Sequence, residues 1–212
     1  MITTKALRKL AEAGDTDSQF RMGYRMAFGR KHNWTEAIPW WEQASKKGHA
    51  RAVFYLATCY DSGKGVAKNV SNAIKLYRLA ARRGHDMAQF NLGFSYREGK
   101  DIPENSRRAV FWYRKAADQG NIDALRDLGV CFHEGFGVRA DQKTAVRYYR
   151  QAARREDHKA MYNLGLCYLD GDGVKPNRGK ALEWLQKAAS SGSRKAKFKI
   201  KQLTKEIDEI IA

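Results

Sequence analysis

Residues 84–120, GHDMAQFNLGFSYREGKDIPENSRRAVFWYRKAADQG, decide how this chain folds. Ala88, Leu92, Ser95 and Tyr96 fall on one stripe of a 3.6-residue period, as do Ala109, Trp112, Tyr113, Ala116 and Ala117, so the stretch reads as two amphipathic helices. Between them lie Gly99, Asp101 and Ile102. Glycine ends the first helix through left-handed dihedrals, and the apolar residue after it plugs the corner.

The same unit recurs along the chain. Gly48, Gly84, Gly120, Glu156 and Gly192 stand 36 residues apart, and Gly14 precedes the first of them by 34. Eleven residues before each mark is Ala37, Ala73, Ala109, Ala145 or Ala181; four before is Ala44, Ala80, Ala116, Ala152 or Ala188. The turn returns as Gly63, Gly65, Val66, as Gly135, Gly137, Val138 and as Gly171, Gly173, Val174. Recurring alanines let helix axes approach closely, and the large aromatics fill the space between neighbouring pairs. No helix pair hides its apolar stripe alone, so stacking supplies the burial. The expectation is an all-α chain: one right-handed α–α superhelix, or solenoid, of tandem helix-turn-helix repeats, with about 12 helices and no strands.

Repeats are expected over 15–48, 49–84, 85–120, 121–156 and 157–192, with capping helices at 1–14 and 193–212. Ala6, Leu7, Leu10 and Ala11 mark the first cap. Ala196, Ile200, Leu203, Ile207, Ile210 and Ile211 mark a longer second one. The first repeat departs from the pattern, since its turn from Phe28 to Trp34 is two residues shorter and Pro39 falls early in its second helix, where a lost hydrogen bond is expected to distort it.

Composition fits a folded chain, with 43% hydrophobic and 11% aromatic residues and three prolines. No run approaches the roughly 18 apolar residues of a membrane span. Residues 1–14 lack the apolar core and cleavage site of a signal peptide, which places the protein in the cytoplasm. Forty Lys and Arg against 23 Asp and Glu leave a charge of +17. Such a surface attracts nucleic acid, anionic lipid or acidic protein, or serves solubility alone.

The pattern Ala88, Leu92, Gly93, Tyr96, then Ala109, Trp112, Tyr113, Ala116, Ala117, Gly120 resembles the Sel1-like repeat, a relative of the tetratricopeptide repeat. The resemblance covers about residues 15–192. It implies an adaptor or scaffold in protein complexes, with first helices lining a concave face. Some secreted members carry a disulfide in every repeat; this sequence departs from that. Cys59, Cys131 and Cys167 share one repeat position on the buried stripe, and equivalent positions in stacked units lie ~10 Å apart, too far to bridge. They read as core residues in a reducing compartment.

Catalytic and metal chemistry finds no constellation. Asp170, Gly171, Asp172 and Gly173 resemble the start of a calcium loop but lack its closing Glu, and read as the repeat's turn. His32, His49, His85, His133 and His158 show no zinc spacing. The chain is therefore expected to be non-enzymatic and to need no cofactor.

If the first helices line a groove, as the resemblance implies, its contacts would be Arg21, Tyr55, Asn91, Asp127 and Asn163, seven after each mark, and Arg51 and Lys159, three after. Their variety suits a tailored groove and an unconstrained surface equally. Asn91 and Asn163 are preferred, because related clamps hold a peptide backbone with asparagine. Phe20, Phe54, Phe90 and Tyr162, six after the mark, offer apolar pockets or pack between units. Second helices carry Arg78, Arg114 and Arg150 at one repeat position, extended by Arg82, Arg83, Arg147, Arg154 and Arg155, which stacking would align on the outer, convex side. That ladder makes a phosphate backbone the alternative partner. Arg194, Lys195, Lys197, Lys199 and Lys201 crowd the start of the last helix, against its dipole, and point to an acidic partner.

Overall fold

The computed structural model describes residues 3–30 and 32–211, with side chains through residue 205. Twelve helices and no strand occupy them: α1 (Thr4–Glu12), α2 (Thr16–Phe28), α3 (Trp34–Lys46), α4 (Ala50–Ser62), α5 (Val70–Arg82), α6 (Asp86–Glu98), α7 (Ser106–Asp118), α8 (Ile122–Glu134), α9 (Gln142–Ala153), α10 (His158–Asp170), α11 (Arg178–Ser190) and α12 (Arg194–Ile211). The protein is all-α, as its period requires. Contacts gather them into two compact units, Met1–Glu104 and Asn105–Ala212. In the first, each helix from α1 to α6 packs on the next; in the second, each from α7 to α12 does so.

Helix boundaries follow from local chemistry. Asp15, His49, His85, Asn121 and Asp157, each one residue after a mark, accept a hydrogen bond from a backbone N–H in the first turn of their helix. Asn33, Asn69, Asn105, Asp141 and Asn177 do the same for the second helices. Such a cap stabilises a helix by about 1 kcal/mol. First helices end on Gly63, Gly99, Gly135 and Gly171, all with left-handed φ. The marks are left-handed too, and Glu156 holds φ +66 where its counterparts are glycine.

The repeat alanines form the seams. Ala37, Ala44, Ala80, Ala109, Ala116, Ala145, Ala152, Ala181 and Ala188 are wholly buried. Trp41, Tyr77, Tyr113, Tyr149 and Leu185 fill the space beside them. The glycine of each Leu-Gly pair exists for close approach: a Cβ on Gly23 would lie 2.5 Å from the Trp41 ring, and one on Gly165 2.8 Å from Leu185. Cys59, Cys131 and Cys167 are free and buried, and burial pushes the Cys59 and Cys167 thiols up to about 11.

The distortion expected at Pro39 does not interrupt the helix. Helix α3 runs through that residue at the same 13 residues as most of its neighbours. Pro39 and Thr35 are both exposed, so the carbonyl that loses its partner is open to water. Irregularity sits in the turn instead. Gly29 is extended, with φ −76 and ψ −178, and His32 takes the positive φ, +44. The last helix continues without a glycine turn; the packing expected of Ile207, Ile210 and Ile211 lies outside the described side chains.

Candidate functional site

On a first helix, residues 3, 7, 10 and 14 after the mark make one stripe. In the first unit this stripe exposes large apolar side chains among charged ones. Tyr24 and Phe28 on α2 are each 43% exposed, Met87 and Phe94 on α6 38% and 48%. Tyr24 packs on Phe28 with ring centroids 4.6 Å apart, and Tyr55 of α4 meets both edge-on at 5.7 Å. Arg21 and Arg51 stand exposed on the same stripe. Arg21 pairs with Asp17 at 2.7 Å, and the Arg51 guanidinium lies 5.0 Å over the Phe20 ring. Beside them a cleft of about 460 Å³ opens between the starts of α4 and α6, with Phe54, Tyr55 and Met87 as apolar walls and Arg51 and Arg83 at its rim. Tyr24, Phe28 and Phe94 were not among the expected contacts; extending the stripe from seven to ten and fourteen after the mark would have found them.

The asparagines do a structural task as well. Burial raises the Tyr77 hydroxyl above its ordinary pKa while side-chain hydrogen bonds from Thr58 and Asn91 oppose the rise. Burial likewise raises Tyr149, with Asn163 opposing. Both asparagines are half-buried and turned to a tyrosine of the preceding helix.

In the second unit Asp127 is not the solvent-facing contact expected of it. It is 9% exposed, and Arg126 Nε donates to its Oδ1 at 2.9 Å. Arg126 Nη1 reaches Asp123 at 2.7 Å and Asp157 at 3.1 Å. Burial disfavours the guanidinium charge, but Asp127, Asp123 and Asp157 outweigh it and raise the Arg126 pKa. Position six after the mark is the reason: it faces the next helix cap, and where the first unit puts Phe20 on His49, this unit puts Arg126 on Asp157. Lys159 is exposed.

The arginines of the second helices do not simply line an outer side. Arg150 donates to the Tyr168 hydroxyl at 2.9 Å and sits over its ring, and Arg114 lies 5.6 Å over the Phe132 ring, so both lean across the seam onto the following first helix. Arg78 and Arg150 are half-buried, whereas Arg82, Arg114 and Arg154 are exposed. One residue before each mark, Lys47 donates to the Gly14 carbonyl and Arg155 to the Gly120 carbonyl. Arg83 donates to the Ser45 carbonyl at 3.1 Å. Part of the basic surplus thus satisfies helix C-termini. A cleft of about 850 Å³ in this unit mixes Arg114, Arg139 and Lys143 with Asp141 and Asp172. Gly171 is the helix end expected of the Asp170–Gly173 turn, and among the described residues no three acidic, His or Cys groups gather to hold a metal. No described helix is long and apolar enough to cross a membrane.

Two caps titrate. His49 and His85 accept through Nδ1 from the Ala52 and Ala88 N–H groups, and lie flat against Phe20 and Phe54 at 4.6 and 4.3 Å. Burial holds both below the ordinary 6.5; Asp17 and Asp86 respectively oppose this and Arg51 reinforces it. Unfolded imidazoles keep the ordinary value, so as pH falls through it the unfolded chain takes up protons that the folded chain resists. Stability of the first unit therefore drops from neutral pH downward until the lowered folded values are passed. Replacing both histidines with asparagine, the cap at Asn121, is expected to flatten the urea midpoint between about pH 7 and pH 5. An unchanged slope would discard this role.

Capped helical hairpins in one register define a tandem-repeat protein. Residues 16–49, 50–85, 86–121, 122–157 and 158–193 each match the Sel1 repeat, and the chain belongs to the Sel1 repeat family. It is similar to the crystal structure of c5321, a protective antigen of uropathogenic Escherichia coli with an SLR fold, at 31% identity and TM-score 0.87 over 92% of this chain. It spans 42% of that protein's length. A Sel1 repeat protein from Oxalobacter formigenes is 32% identical, TM-score 0.80, over 92% of this chain and 76% of its own. Immunity protein Pa5087 from Pseudomonas aeruginosa is 26% identical, TM-score 0.53, over 85% and 67%. Among curated proteins none is similar to this sequence. Sel1 repeats generally mediate protein–protein interaction.

Proposed function

We propose that this protein is a non-catalytic scaffold or adaptor that docks a partner protein or peptide on the first-helix face of its repeats. The exposed apolar side chains of the stripe carry the reading: Tyr24, Phe28, Met87 and Phe94 occupy stripe positions of the first and third repeats, where burial in a complex would recover hydrophobic free energy now forfeited to water. Arg21, Arg51, Tyr55 and Asn91 in the first unit, and Lys159 and Asn163 in the second, lie on the corresponding stripe of their own first helices. Three buried thiols suit a reducing, cytoplasmic setting. The basic second-helix face is the weaker candidate for a phosphate backbone, since Arg150 is committed to Tyr168.

Affinity capture from the native extract separates the faces. Met87→Ser with Phe94→Ser removes exposed apolar surface without touching the core, and is expected to cut partner recovery about tenfold, the loss typical of a central interface contact. Arg82→Glu with Arg154→Glu is expected to leave it unchanged. The opposite pattern would move the interface to the second helices.

A further inference from the structure

The first unit's stripe also says what kind of segment it takes. We infer that the ring cluster of Tyr24, Phe28 and Tyr55, together with the neighbouring cleft, receives an acidic peptide segment of the partner that carries an apolar anchor side chain. This rests on the docking face proposed above and adds the chemistry of its occupant.

Three observations carry it. Tyr55 joins the two parts: its ring meets Tyr24 and Phe28 on one side, and it walls the cleft with Phe54 and Met87 on the other. An apolar side chain entering the cleft therefore leaves its flanking residues over the exposed rings. Charge then selects the flanks. Arg21, Arg25, Arg51 and Lys64 stand on or beside the cluster and Arg83 lines the cleft, against two carboxylates, Asp17, which Arg21 already pairs, and Asp86 in the cleft lining. Carboxylates beside the anchor would meet guanidinium groups, and a cationic segment would be repelled.

The ring geometry argues against the two other ligands that aromatic residues favour. A quaternary ammonium needs a free ring face, and a stacked base needs a flat platform. Here Tyr55 stacks on Trp41 at 5.1 Å, and Tyr24 and Phe28 lean together at 4.6 Å with 35° between their planes, so the cluster presents no flat platform. Such tilted rings suit aliphatic or aromatic side chains packing at an angle.

The test is a phage-displayed library of random dodecapeptides panned on the intact protein, with enriched peptides then titrated by fluorescence anisotropy. Enriched sequences are expected to hold an aromatic or leucine residue flanked by Asp or Glu. Their affinity should fall about tenfold in Tyr24→Ser with Phe28→Ser and again in Arg51→Glu, and weaken as salt rises. Enrichment of sequences without acidic residues, no enrichment, equal binding by the variants, or displacement by a labelled oligouridylate would each overturn the inference. Capture that depends on Met87 and Phe94 alongside any of those results would leave the docking face standing and remove the acidic segment alone.

Discussion

Replacing Arg126 with alanine is expected to lower the stability of the second unit by about 3–5 kcal/mol, the usual loss when one partner of a buried ion pair is removed. The substitution takes the guanidinium from two carboxylates at once, because the Asp127 and Asp157 side chains are each 12% exposed and Arg126 donates to both. Asp157 also caps α10 through the Ala160 N–H, so its charge cannot turn away without uncapping that helix. Urea denaturation reads the loss. A loss under about 1 kcal/mol, the worth of a surface pair, would show that the cluster is solvated and the burial argument wrong.

The second large effect is expected at Gly173. Alanine there meets two obstacles: φ is +70, which costs a side-chain-bearing residue about 1–2 kcal/mol, and its Cβ would be driven into the Gln142 carbonyl and to 2.7 Å from the Lys143 nitrogen at the start of α9. Both obstacles are backbone and neither swings aside, so a total loss of about 3 kcal/mol or more is expected. Gly192→Ala supplies the control. It has φ +95 with nothing within 4 Å of the added atom, and should cost the dihedral component alone. Equal losses at the two sites would refute the close approach between adjacent hairpins.

Turn glycines are expected to end helices, and Gly171 does so. Gly173, two residues on, presses against the preceding hairpin, a contact with no local signature. Asp101 stands at the equivalent place in the third repeat and is not among the residues with positive φ, so that turn follows another path. Pro39 shows the same kind of limit. A proline inside a helix signals lost bonding, but whether that distorts the helix depends on the freed carbonyl meeting water, and Thr35 is exposed.

The candidate surface was legible in outline and not in detail. Register puts Arg21, Arg51, Tyr55, Asn91, Asn163 and Lys159 on the same stripe of their respective first helices because helical geometry is local. It could not tell that Asp127 is tied down by its neighbour Arg126, or that Asn91 and Asn163 answer buried tyrosines. Those ties join residues of one repeat to the helix before or after it, and whether a polar side chain there turns to water or to a partner is settled by the packing of the neighbouring hairpin.

Period, spacing and the turn glycines were enough to dictate helical hairpins and where their first helices end, since each of these is an interaction within one or two turns of chain. Which cations remain open to a ligand, which aromatic rings stay in water and where glycine has no substitute were set by packing between hairpins, because exposure belongs to a side chain and its spatial neighbours together and is absent from any single stretch of sequence.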